Sequence, residues 1–228
     1  MKQRGMGDGK ETGRTTMSRP WDELPPREAL AAMAADFHRR GWMAGTAGNL
    51  SARSGTGRFW ITASGRPKGC LDPGRDFLEV DLEGRPLDAP PGVRPSAETA
   101  IHATLYRRFP EVRACLHVHS LAAARVSHGL PPEAFELPLP ALEILKGLGV
   151  WEAAPRVALP LFANHLDVAR IARAVARRFA VEAPAVPALL IRSHGVTVWG
   201  ESLQQAYDRL ECVEFLLAYL DGAASAAP

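Results

Sequence analysis

Apolar positions recur along this chain in two alternating periods. Residues 26–40 place Leu30, Met33, Ala34 and Phe37 at helical spacing, and Gly41 follows as a stop, which predicts a packing helix. Residues 59–62 and 77–81 read as short strands separated by turn-forming residues. Ser96 then stands as a candidate N-cap before a helix through Tyr106. The run Val112-Arg113-Ala114-Cys115-Leu116-His117-Val118 predicts a buried strand and residues 121–126 a short helix. Further on, residues 157–160 predict a strand and residues 166–179 an Arg-rich amphipathic helix. Residues 188–199 form a second apolar strand that breaks at His194-Gly195, and residues 203–220 a long final helix. Strands and helices alternating without an internal repeat predict one three-layer α/β/α domain over residues 20–222. Residues 1–19 have too little hydrophobicity to offset the entropy of ordering and are expected to be disordered, and residues 223–228 to form a flexible tail.

Composition changes this picture mainly by exclusion. The chain has 228 residues, 46% of them hydrophobic, enough to bury the core of one domain. A net charge of +2, with arginines dispersed over helical faces, argues against a nucleic-acid or anionic-membrane partner. Three cysteines without paired spacing make no disulfide framework. No apolar run approaches the roughly 20 residues needed to span a bilayer, and residues 1–19 lack the apolar core of a secretory signal. A reducing cytoplasm is the expected location.

The chemistry concentrates at His117-Val118-His119. Alternate strand residues share a face, so two imidazoles two residues apart leave the backbone on one side, roughly 6–7 Å apart along it, and can close on one metal ion. A catalytic zinc site takes three protein ligands and keeps one position open. His194, at the break in the other apolar strand, is the best third ligand. A His-x-His pair alone also fits a purely structural role. Two glycine turns, Gly45-Thr46-Ala47-Gly48-Asn49-Leu50-Ser51 and Ala63-Ser64-Gly65-Arg66-Pro67-Lys68, carry hydroxyls, an amide and exposed backbone N–H groups of the kind that cradle a phosphate monoester, with Lys68 as an added charge. Such runs are also ordinary loops. Glu98 either complements a helix dipole or faces the metal. Glu143 sits between Leu142 and Ile144, where apolar neighbours could raise its pKa into the range of general acid–base work; it is equally a partner for Lys146 three residues on. His38, His102, His128 and His165 read as structural or turn residues.

These pieces together resemble the class II aldolase/adducin head family. The matching segments are the run from Gly45 to Ser51, Thr62-Ala63-Ser64-Gly65, Pro95-Ser96-Ala97-Glu98, His117-Val118-His119 and His194-Gly195. The resemblance implies helices around a central, mainly antiparallel sheet, a zinc ion held by His117, His119 and His194, and a homotetramer with its sites at subunit interfaces. It implies a sugar-phosphate substrate whose phosphate is held by Thr46, Asn49, Ser64, Gly65 and Ser96. Ala97 stands where a second Ser is common in the family, removing one expected hydroxyl. Glu143-Ile144-Leu145-Lys146-Gly147 and the segment Ile191 to Glu201 resemble a dehydratase branch, in which the residue at Glu143 is the acid–base and Glu98 the second choice. A sugar-phosphate aldolase or epimerase using the same zinc site is the alternative.

Overall fold

The strand that carries the histidine pair is central to the sheet and buried at every position. Ala114, Leu116 and Val118 point into one apolar core and Cys115 into the other, the period-two alternation that a strand covered on both faces requires. The computed structural model describes residues 20–226. In chain order its strands are β1 Asn49–Gly55, β2 Arg58–Thr62, β3 Phe77–Asp81, β4 Ala114–Val118, β5 Glu136–Pro138, β6 Ala158–Phe162, β7 Ala188–Ile191 and β8 Gly195–Gly200. The sheet order is β3-β2-β1-β4-β8-β7-β6-β5, and every neighbouring pair is antiparallel except β6 with β7.

Helices cover both faces. The helices are α1 Pro20–Glu23, α2 Pro26–Arg39, α3 Thr99–Arg108, α4 Leu121–His128, α5 Val168–Val181 and α6 Leu203–Ala226. Residues of α2, α4 and α6 fill one core, among them Leu30, Phe37, Ala123, Leu210 and Leu217. Residues of α3 and α5 fill the other, among them Ile101, Leu105, Ile171, Val175 and Phe179. The three-layer α/β/α arrangement with a mainly antiparallel central sheet is as expected from the sequence.

Four details differ from the sequence reading. Strand β1 lies where the sequence pattern predicts only a glycine turn and its exit, because its inward positions Asn49 and Ser51 are polar and break the apolar alternation. Strand β5 has three residues, ending in proline, too few for a periodic signal. Helix α3 begins at Thr99 with Glu98 in the cap position and no side-chain cap bond, so Ser96 is not its N-cap. Helix α6 runs on to Ala226 through most of the stretch expected to be a flexible tail. Residues 1–19, expected to be disordered, lie outside the described residues.

Candidate metal centre

Three histidines converge at the ends of β4 and β8. His117 is the penultimate residue of β4, His119 follows the strand directly, and His194 closes the turn between β7 and β8. His119 Nε2 lies 2.9 Å from His117 Nε2 and 3.0 Å from His194 Nε2. The outer nitrogens of two rings have partners: His117 Nδ1 meets Thr197 Oγ1 at 2.9 Å, and His194 Nδ1 meets Asn164 Oδ1 at 3.3 Å. A ring that donates from Nδ1 to such an oxygen turns the lone pair of Nε2 inward.

Burial holds all three rings in the neutral form that ligation needs. The His117 pKa lies well below the ordinary value, through burial first and then the neighbouring His119 and His194. Burial, with His194 and Lys68 nearby, lowers His119 to about 4. His194 is lowered by burial, with the carboxylate of Glu98 opposing. His119 Nε2 lies about 3 Å from each of the other two Nε2 atoms, so the three rings present a set of nitrogen donors that one cation can share. Their ligand atoms all lie within 4.8 Å of one another, so the donor set fits a divalent metal ion of zinc's borderline character.

The backbone around the cluster has no room to spare. A Cβ at Gly195 would meet the Val118 carbonyl at 2.2 Å, and one at Gly48 the His117 carbonyl at 2.8 Å, so glycine is required where each chain passes the histidine strand. The backbone N–H of His119 donates to the Trp42 carbonyl at 2.8 Å, which fixes where the chain turns out of β4.

Glu98 faces this cluster. Its Oε1 is 3.8 Å from His194 Nε2, while Oε2 accepts from Asn49 Nδ2 at 2.9 Å and Ser96 Oγ at 3.1 Å. Asn49 is buried and its Oδ1 has no hydrogen-bond partner among the described residues. The two glycine turns meet through Lys68, whose backbone N–H donates to Gly45 O and whose Nζ donates to Thr46 O at 2.8 Å and Arg66 O at 2.9 Å. Lys68 is therefore a buried cross-tie rather than a free surface cation. Burial lowers its pKa against the opposing pull of Glu98 and Asp76. Thr46, Ser64 and Gly65 stand exposed at the tips of these turns.

Glu143 is elsewhere on the chain. It begins a 3-10 turn, its side chain is 86% exposed and its carboxylate pairs with Lys146. Hydrogen bonding by Lys146 lowers its pKa, so the flanking apolar residues do not raise it within one chain. Leu142 and Ile144 turn towards the core instead. His102, read as structural, is fully buried and bonded to Ser51 Oγ at 2.7 Å, and burial lowers it to about 3. His128 and His165 lie in turn contacts outside the cluster. Sequence reasoning missed Thr197 and Asn164, which hold the rings of His117 and His194 in the cluster. Neither has a local signature, because the strand pairing and a distant loop bring them in.

Comparison with known proteins agrees with this architecture. The model of the Class II Aldolase and Adducin N-terminal domain matches residues 28–220. A methylthioribulose-1-phosphate dehydratase of Microcystis aeruginosa is 50% identical over 204 residues, covering 89% of this chain and 98% of the relative. One from Leptospira biflexa is 46% identical, with 86% and 96% covered. Among solved structures, an L-fuculose-1-phosphate aldolase from Thermus thermophilus superposes with a TM-score of 0.67 at 29% identity, covering 90% of this chain and 99% of that one. A putative aldolase/epimerase/decarboxylase from Escherichia coli gives 0.70 at 30% identity, with 85% and 87% covered. The chain belongs to the class II aldolase and adducin N-terminal domain family, and within it is an enzyme, a lyase. No helix among the described residues is long and apolar enough to cross a membrane.

Proposed function

We propose that this enzyme dehydrates 5-methylthioribulose 1-phosphate to 5-methylthio-2,3-dioxopentyl phosphate, a cytoplasmic step of methionine salvage, with one zinc ion per subunit. The observation that carries the reading is the convergence of three neutral imidazoles and Glu98 in a chain half identical to a dehydratase of that name. His117, His119 and His194 hold the metal. When bound, zinc supplies Lewis-acid polarisation of the substrate's C2 carbonyl and so acidifies the C3 proton.

The remaining steps belong to side chains. Glu143 takes the C3 proton and returns it to the departing C4 hydroxyl, and the resulting enol ketonises to the diketone. In a homotetramer a neighbouring copy would bring its own site to Glu143, whose carboxylate is 86% exposed and paired with Lys146 on its own chain. Glu98, held by Asn49 and Ser96 beside His194, is the second acid–base choice. The exposed turns at Thr46, Ser64 and Gly65 bind the phosphate, Lys68 underpins both turns, and Asn49 and Ser96 couple the phosphate site to Glu98.

Parallel assays of Glu143→Gln and Glu98→Gln, with zinc content measured in each, test these roles. Turnover of Glu143→Gln should fall roughly 10²–10⁴-fold with zinc retained, since an amide keeps the shape but exchanges no proton. Near-normal turnover there, beside a dead, zinc-replete Glu98→Gln, would move the acid–base role to Glu98 and favour aldolase or epimerase chemistry.

A further inference from the structure

The turn that delivers His194 is held by an arginine that the reaction does not use. Ser193, immediately before His194, has φ of 51° and is the only non-glycine residue with positive φ among the described residues. That left-handed conformation is costly for a side chain with a Cβ, so the surroundings must impose it. Ser193 is exposed, which leaves hydrogen bonds rather than packing to do so. Its backbone N–H donates to Ser127 Oγ at 2.9 Å, and its hydroxyl meets His128 Nδ1 at 3.1 Å. Ser127 is fully buried in α4 and in turn donates to Ala123 O at 2.6 Å.

Arg192 ties the same two segments together. Its Nη1 donates to Ser127 O at 3.1 Å and Leu130 O at 2.8 Å, and its Nη2 to Pro131 O at 2.9 Å and Ala134 O at 3.1 Å. One guanidinium thus gathers four carbonyls from the end of α4 and the loop beyond it. Its backbone N–H donates to Phe162 O at 2.9 Å, anchoring the turn to β6 as well. On the other side, Gly195 lies against the Val118 carbonyl, so the turn cannot move closer to β4. His194 is the residue caught between these constraints.

We propose that Arg192 is a positioning residue for the metal centre: by clamping the 127–134 segment to the β7–β8 turn, it keeps Ser193 left-handed and His194 Nε2 aimed at His117 and His119. This rests on the metal reading above. A lysine at 192 keeps the charge but lacks the planar fork that reaches four carbonyls at once.

The test is metal affinity in purified protein, independent of turnover. Zinc dissociation constants are measured by chelator competition, and the visible spectrum of the cobalt-loaded protein reports coordination geometry. Arg192→Lys should raise the zinc dissociation constant by roughly 10–100-fold, the usual effect of losing a residue that orients a ligand, and should change the cobalt band shape. Ser127→Ala, a milder change to the same clamp, should shift both readouts in the same direction. Ile171→Val, a core change on α5 remote from the turn, should lower stability without moving either. Dissociation constants within about twofold of wild type in both Arg192→Lys and Ser127→Ala, with wild type binding one zinc, would overturn the inference alone. A wild-type protein that binds no zinc would overturn the metal reading and this inference with it.

Discussion

Glu214→Gln should stabilise the protein, and by an amount that depends on pH. Glu214 lies on α6, is 3% exposed, and lines a cleft of about 660 Å³ with Trp42, Ser120, Ile144 and Phe215. Its Oε1 has no hydrogen-bond partner among the described residues. Burial raises its carboxyl from the ordinary 4.5 to about 7, with a hydrogen bond from Ser120 opposing. Between those values the folded chain keeps a proton that the unfolded chain has released. Stability therefore falls as pH rises through this window, and the loss is complete above about pH 7. At about 1.4 kcal/mol per pKa unit, the full penalty is about 3 kcal/mol. Glutamine removes the titration and keeps the shape. The stability gained by the variant should thus grow by about 2–3 kcal/mol between pH 5 and pH 8. Urea unfolding of metal-free wild type and variant, at equal protein concentration and at both pH values, measures it. A stability difference that is the same at pH 5 and pH 8 would refute the reasoning, because only the titration of Glu214 makes it vary.

Other expectations concern the site. His117→Ala, His119→Ala and His194→Ala should each remove most bound zinc by metal analysis, because a three-ligand site that loses one ligand holds the ion poorly, whereas His128→Ala should lower occupancy much less. Asn49→Ala should weaken substrate binding by about 1–3 kcal/mol, read as a higher KM, and should also lower kcat because it frees the Glu98 carboxylate it now holds. Lys68→Met should loosen both glycine turns together and raise KM with zinc retained, measured by steady-state kinetics and metal content. If Glu143 serves a neighbouring subunit, mixing inactive His119→Ala and Glu143→Gln proteins should restore part of the activity through hybrid oligomers, and no recovery after subunit exchange would count against it.

The histidine cluster was legible in the sequence because each part has a local mark. His117 and His119 carry the strand period, and His194 interrupts an apolar run at a glycine. The apolar periods likewise located β3, β4, α2 and the body of α6. Where polar residues point inward the signal failed: β1 buries Asn49 and Ser51, which bond to Glu98 and to His102 and Tyr106. Lys68 looked like a free cation because its partners are backbone carbonyls, which no side-chain pattern reveals. At Glu143 the two readings open in the sequence part company, and within one chain the structure shows the pairing with Lys146. The apolar neighbours of Glu143 suggested a raised pKa, yet Leu142 and Ile144 turn inward while the carboxylate turns out to Lys146. The clamp at Arg192 was invisible because it joins segments some sixty residues apart.

The product formed from methylthioribulose 1-phosphate tests the central claim most directly. Incubation of the zinc-loaded enzyme with this substrate, followed by mass spectrometry, should show one product lighter by a single water, with phosphate and methylthio group both retained. Two fragments from cleavage of the carbon chain, an isomer of unchanged mass, or unconsumed substrate would contradict it.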